Sequence, residues 1–423
     1  MGLAVVIVFI AMFSLGFPVV VSILVPCIAY IIANGIPIEF VASRMHYALN
    51  SYVLSAVPLF ILVGNLMNRA GITSRMYHFA DVAVGRVPGG LAQVNIFSSL
   101  IFACKSGAAL ADIGAMGQIH IKAMKDKGFS VPYSAAVSVA SAIIGPITPP
   151  SIPLILYASV SGVSALRLLL SGVVPGLLLC AALMGVTVLL AYWRKYPRAE
   201  RWSTPKELWL SFYPALPSVL TPVILIFGML SGIFTPTEGA AITVSYLLLI
   251  SLFYRELTFR GIIDALVETV KSSCSVLIIV GTASLFGWIL AVEQVPQMFS
   301  AFLLTISNNP LVLLAILNLI LLIVGLVLDS TTATLLLVPI VIPPLVSVGI
   351  DPIHLGMVFI FNIMIGLITP PLGLSLFMIS KVGNVAIKDV IKELVPYYIP
   401  LLAVLLIITY IPSIVLWLPN LVK

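Results

Sequence analysis

The sequence predicts an all-α polytopic membrane protein made of two inverted structural repeats, each with a re-entrant helical hairpin and a broken helix. Three observations support this: the composition, the length of the apolar runs, and motifs that recur at a constant offset. Of 423 residues, 61% are hydrophobic and only 9% charged, whereas a soluble domain carries roughly a quarter charged. No water-facing surface can be built from that supply. Apolar runs of about 20 residues, enough to cross about 30 Å of hydrocarbon as helix, recur along the chain. Lipid cannot satisfy a free backbone N–H or C=O, so the spans must be helices or a closed barrel. Long unalternating apolar stretches exclude the barrel.

The chain opens with 43 residues free of Lys and Arg. Gly2 to Ala33 therefore lacks the basic n-region of a cleavable signal and is expected to stay as membrane helix, with Gly16 and Pro18 able to divide it in two. Cys27, Cys104, Cys180 and Cys274 lie in apolar stretches without CxxC spacing, which fits small buried hydrophobes. The net charge of +6 marks cytoplasmic loops and contact with lipid headgroups, not nucleic acid.

The order of elements follows from the charges. Residues 1–193 form the first repeat, 194–213 a basic cytoplasmic linker containing Arg194, Lys195, Arg198, Arg201 and Lys206, and 214–423 the second repeat. Gly145-Pro-Ile-Thr-Pro-Pro150 and Gly366-Leu-Ile-Thr-Pro-Pro371 stand 221 residues apart. The same shift aligns Gly128 with Gly349, Arg167 with Lys388 and Pro175 with Pro396. A constant register over such a span implies a duplication. With Lys122, Lys125 and Lys127 inside, crossings at 131–162 and 168–192 return the chain to the basic linker. Crossings near 217–231 and 238–253 then put Arg255 and Arg260 inside, and one at 273–292 leaves Glu293 and Asp351 outside. Gly128 and Gly349 thus fall on opposite sides, as an inverted repeat requires.

Two segments, 91–124 and 311–348, are apolar for more than one crossing but polar at the middle. They read as hairpins with tips at Cys104-Lys-Ser-Gly-Ala108 and Asp329-Ser-Thr-Thr-Ala333. Beside each lies an expected broken helix, 131–162 and 352–380. Each Thr-Pro-Pro removes N–H donors and clashes with the preceding turn, freeing carbonyls near mid-membrane. Such carbonyls, with hydroxyls, suit a hard cation such as Na⁺, and half-helix N-termini suit substrate anions. A plain kink in a packed helix is the alternative. Asp329 is expected either to ligate Na⁺ or to cap its helix through Thr331 or Thr332, and the same two readings hold for Asp112. Lys105, an ammonium at a tip, faces an anionic substrate, pairs with Asp112 or Asp329, or reaches the interface.

Taken together, Ser106-Gly-Ala-Ala-Leu-Ala-Asp112, Ile143-Ile-Gly-Pro-Ile-Thr-Pro-Pro-Ser-Ile-Pro153, Gly232-Ile-Phe-Thr-Pro-Thr-Glu238, Gly349-Ile-Asp-Pro352 and the run Asn362 to Gly373 resemble the DctM-like large membrane subunit of tripartite ATP-independent periplasmic (TRAP) transporters over nearly the full length. The resemblance implies an elevator-type, ion-transporter-like protein of the bacterial inner membrane. It implies Na⁺ as coupling ion, no organic cofactor, a four-helix small membrane subunit and a periplasmic solute-binding protein. The implied substrates are organic acids: C4-dicarboxylates, sialic acid or other sugar acids. By the family's pattern Ser106 and Gly107 with Gly145 to Thr148 form one Na⁺ site, and Asp329, Thr331 and Thr332 with Gly366 to Thr369 the other. Lys105, Ser106, Thr148, Pro149, Asn362 and Thr369 are the expected substrate contacts. The chain departs from the family at Ala108, where the usual tip has a second serine, at Lys105, and at Asn65, where an acid is usual.

Other classes fit less well. A symporter of a related elevator family working without a binding protein is the nearest alternative. The histidines 46, 78, 120 and 354 are scattered, with no HExxH, so an intramembrane enzyme lacks its machinery, and no GxxxxGK[ST] loop serves an ATP pump. A channel is not separated by composition, but it would need no binding protein.

Overall fold

The computed structural model describes residues 1–107, 109–196, 203–254 and 257–422, without the side chains of Ile72, Thr73, Cys104, Lys105, Ser106, Ala115, Ser218 and Phe253. Residues 197–202 of the basic linker, Arg255, Ala108 and the side chains of Lys105 and Ser106 therefore lie outside the described residues. Among the described residues every regular element is a helix. Four helices are long and apolar enough to cross a membrane (Ala165–Arg194, Phe259–Val292, Ser330–Ser347 and Ile387–Tyr410), or up to eight spans if each bent pair counts as one.

The interior consists of two interrupted helices. Val131–Ala142 continues as Ile144–Ile147, breaks, and resumes as Ile152–Ser161 with a 41° bend. Pro352–Gly366 breaks and resumes as Leu374–Gly383. Every residue from Tyr133 to Ala158 and from Ile353 to Ile368 is buried, as expected of helices apolar on all faces. Their starts are built alike. Gly128 (φ 88°) and Gly349 (φ 90°) end the preceding helices in the left-handed region that glycine tolerates. Their amides donate to Lys125 O and Val346 O, each at 3.0 Å. Ser130 and Asp351 then cap the new helices, accepting from Tyr133 N at 3.4 Å and from Ile353 N at 2.7 Å. The 221-residue offset thus reappears as backbone hydrogen bonding.

Two helix–turn–helix units flank this interior. Leu91–Ser106 and Ala109–Asp126 meet at Gly107 (φ 57°), and Pro310–Gly325 and Ser330–Ser347 meet at residues 326–329. The second is preceded by Val295–Ile306, set at 119° to its first arm, and the first by Ile72–Val84. To one side Glu39–Leu49, Ala56–Arg69, Pro205–Leu230, Pro236–Tyr254 and Phe259–Val292 pack into an outer frame. Arg69 holds that frame at one end, pairing with Asp264 at 3.2 Å and Glu268 at 2.7 Å.

Two sequence expectations need correction. The crossing at 273–292 is the latter part of one 34-residue helix, Phe259–Val292, because Thr258 caps it at Gly261 and no breaker intervenes. Cys274 is exposed rather than buried, since it lies on a face of that helix covered by no other element. The first segment does divide, into Gly2–Ser14 and Val19–Ala33.

A buried hydroxyl cluster links the two halves. Tyr397 Oη lies 3.1 Å from Tyr133 Oη and 3.0 Å from Thr187 Oγ1. Nearby, Arg194 pairs with Glu393 and donates to Tyr196 Oη at 3.0 Å. Buried hydroxyls need such partners, so Val131–Ala142, Val173–Arg194 and Ile387–Tyr410 are fixed to one another.

Candidate cation and substrate site

At the first break the helix ends at Ile147, and Thr148 turns extended (ψ 145°) ahead of a cis Pro149–Pro150 bond. Thr148 Oγ1 donates to Ile144 O at 2.8 Å. Ser151 Oγ bonds Pro146 O and accepts from Leu154 N at 3.2 Å, capping the following helix. The break is enclosed by glycines. A methyl on Gly172 would stand 2.0 Å from Ile147 O, one on Gly176 1.9 Å from Thr148 Cγ2, and one on Gly107 2.7 Å from Pro150 O. The turn of the first helix pair therefore lies directly on the backbone of the break.

At the second break Thr369 Oγ1 donates to Ile365 O, again at 2.8 Å, and Pro370–Pro371 is cis. Here the approach is backbone on backbone: a methyl on Gly366 would stand 2.5 Å from Gly325 Cα. Tyr398 Oη donates to Ile368 O at 2.6 Å. Gly373 lets the chain fold back, its amide reaching Thr369 O at 3.1 Å. Asp329 caps Ser330–Ser347, accepting from Thr331 N at 2.9 Å, Thr332 N at 3.3 Å and the Thr332 hydroxyl. The capping alternative for Asp329 is thus what the geometry displays; Oδ2 accepts two bonds, and Oδ1, which accepts one, still has a lone pair to offer. Fewer carbonyls are free than the proline argument predicts, because Thr148, Ser151, Thr369 and Tyr398 occupy several of them. Buried carbonyls without partners are costly, which is why those hydroxyls are there.

The remaining predicted residues are distributed around these breaks. Gly145 faces Asp112, whose Oδ2 would be 2.6 Å from a methyl at that position, and Asp112 borders a void of about 10 Å³ with Ser99, His120 and Ser138. Asn362 is fully buried one turn before Gly366 and donates to Asn318 Oδ1 at 2.6 Å, while its own Oδ1 has no partner. Asn318 in turn donates to Thr409 Oγ1 at 3.1 Å. In the first half the matched position is Ser141, which donates to Asn95 Oδ1 at 3.1 Å, and Asn95 donates to Ser138 Oγ at 2.7 Å. Sequence reasoning passed over these ties. The available signal was an asparagine in the midst of each apolar first arm, a residue type that membrane helices use to bond across to a neighbour.

A family model described as "Tripartite ATP-independent periplasmic transporter, DctM component" matches residues 6–414. The sialic acid TRAP transporter large permease protein SiaM of Vibrio cholerae serotype O1 is 43% identical over 411 residues, 96% of this chain and 95% of that protein. The sialic acid TRAP transporter permease protein SiaT of Haemophilus influenzae is 38% identical over 379 residues, 89% of this chain and 61% of that longer protein. Among solved structures, the YdaH transporter of Alcanivorax borkumensis shares the fold with a TM-score of 0.59 at 16% identity, over 88% of this chain and 86% of that one. These relatives are named as transporters and permeases, not as enzymes. The chain belongs to the tripartite ATP-independent periplasmic transporters as a DctM component, a multi-pass large permease subunit of the bacterial inner membrane.

Proposed function

We propose that this permease carries out Na⁺-coupled uptake of an organic acid handed over by a periplasmic solute-binding protein, working with a four-helix small subunit. The observation that carries the proposal is the matched pair of breaks. Each has a threonine hydroxyl on the carbonyl four residues before it at 2.8 Å, and each is pressed against a helix–turn–helix unit through glycine backbone. Helix C-termini at such breaks direct their negative dipole ends at one point, which favours a cation with oxygen ligands. One Na⁺ is assigned to Ser106, Gly107 and the backbone of Gly145 to Thr148. The other is assigned to Asp329, Thr331, Thr332 and the backbone of Gly366 to Thr369. Lys105, Pro149 and Asn362 complete the substrate contacts, with sialic acid and related sugar acids as the substrates suggested by the relatives' names.

In this reading the two helix–turn–helix units are re-entrant hairpins opening from opposite faces, and the interior moves against the outer frame as an elevator. The test is uptake of labelled N-acetylneuraminate into proteoliposomes holding both membrane subunits. Uptake is expected to require the binding protein and an inward Na⁺ gradient. Undiminished uptake without Na⁺ across a range of pH would remove the coupling assignment. Undiminished uptake without binding protein would favour the related elevator family instead.

A further inference from the structure

A cavity of about 580 Å³ lies away from both breaks, between the outer frame and the interior. Its size falls within the roughly 300–1,000 Å³ of small-molecule sites. From the frame come Arg44, Asn50, Ser51, Ser284 and Trp288; from the interior side comes Ser159, with Leu335 and Pro339 of Ser330–Ser347. Ser159 lies in the last turn of Ile152–Ser161, the helix that begins at the first break, and Leu335 is six residues past Asp329, about 9 Å along the helix axis. The cavity therefore borders the helix that leaves the first break and the second arm of the second helix–turn–helix unit. It also sits on the half of Phe259–Val292 remote from Asp264 and Glu268, the end that the charge pattern puts outside.

Its chemistry is one-sided. Among the described residues Arg44 is the only charged one in the wall. Among the described residues its Nε is buried without a hydrogen-bond partner, and the Tyr47 ring lies 5.6 Å from its guanidinium. A guanidinium offers a planar fork that matches a carboxylate, so the missing partner is an anion. The other polar groups are neutral hydroxyls and amides, suited to sugar hydroxyls, and Trp288, held by Phe40 at 4.5 Å between ring centroids, supplies an aromatic surface. A dicarboxylate would leave its second charge without a cation.

We propose that this cavity is an outer binding vestibule for a monoanionic, polyhydroxylated sugar acid, with Arg44 holding the carboxylate. The proposal rests on the transporter reading above and narrows its substrate class. Its test does not depend on transport. Ser284→Cys is introduced into a chain whose native cysteines are replaced, and the purified complex with its small subunit is labelled with an anionic or a cationic methanethiosulfonate. The anionic reagent is expected to react about tenfold faster with Arg44 present than in Arg44→Gln, the cationic one no faster, because a charge in a low-dielectric cleft raises encounter with counter-ions. Arg44→Lys should recover most of that preference, which separates charge from misfolding. Millimolar N-acetylneuraminate should slow labelling in the Arg44 chain, whereas neutral N-acetylmannosamine and Arg44→Gln should abolish the effect. An unchanged ratio of the two reagents in Arg44→Gln, or no protection by N-acetylneuraminate, overturns the site. Equal protection by succinate overturns the sugar-acid class. Labelling and protection that behave as expected in a complex showing no Na⁺-driven uptake would count against the transporter reading and leave the vestibule standing.

Discussion

The two breaks share a threonine–carbonyl bond but are held in place differently. In the first half the break is surrounded by packing: Gly172, Gly176 and Gly107 let neighbouring elements close on Ile147 O, Thr148 and Pro150 O. In the second half it is tied by polar bonds and one backbone contact: Tyr398 binds Ile368 O, Asp329 caps the neighbouring helix, and Gly366 lies against Gly325. At the position matching Tyr398 the first half has Leu177, exposed at 52%. Duplicated sequence therefore preserves the helix break and lets each copy find its own means of burying it. Each copy keeps a carboxylate beside its break, Asp112 facing Gly145 in the first and Asp329 capping the neighbouring helix in the second.

Substituting the glycines at matched positions gives the largest expected contrast. Gly366→Ala drives a methyl to 2.5 Å from Gly325 Cα, where neither backbone can yield, at a cost of about 3 kcal/mol. It should lower the yield of folded complex and its unfolding temperature. Gly145→Ala meets only the end of the Asp112 side chain, at 2.6 Å, and not backbone, at a cost below about 1 kcal/mol. Equal losses would mean the two breaks are supported alike.

Asp329 comes next. Asp329→Ala removes a helix cap worth about 1 kcal/mol together with the carboxylate. Asp329→Asn should restore most of the thermal stability while leaving the Na⁺ concentration for half-maximal uptake raised. If Asn restores both, the residue is a cap and nothing more.

Thr148→Val and Thr369→Val each delete one hydroxyl bond, worth about 0.6 kcal/mol within a membrane. Both are expected to raise the Na⁺ requirement while changing stability little; a shift in one copy alone would confine the cation to that half. Tyr398→Phe should have the smallest effect. It loses one bond at about 0.6 kcal/mol, and its slight loosening should appear as faster amide exchange near Ile368.

The helical membrane architecture was legible because lipid imposes it on composition and run length. The breaks were legible because Thr-Pro-Pro acts through local backbone sterics. The lock around each break was not, since Gly172, Gly176 and Gly325 contribute the absence of a side chain, and only tertiary contact shows what that absence admits. Arg44 was hidden for a similar reason. It stands in Glu39–Leu49, a helix with no buried residue of its own, and becomes notable only once Trp288 and Ser159 arrive from distant parts of the chain. Asp329 was expected to ligate Na⁺ or to cap its helix, and its bonds to Thr331 and Thr332 display the cap.

If Na⁺ is the coupling ion as proposed, the hydroxyl cluster at Tyr397 bears on how strictly ion and cargo travel together. Tyr133 belongs to the helix leading into the first break, and Tyr397 to the helix that also carries Tyr398, bonded to the second. Lashed in this way, the two breaks ride on one piece of the molecule. Were they on separate pieces, one could cross loaded while the other stayed behind, and the gradient would drain without work. On a shared carriage the two berths would, under the proposed Na⁺ assignment, cross together or not at all.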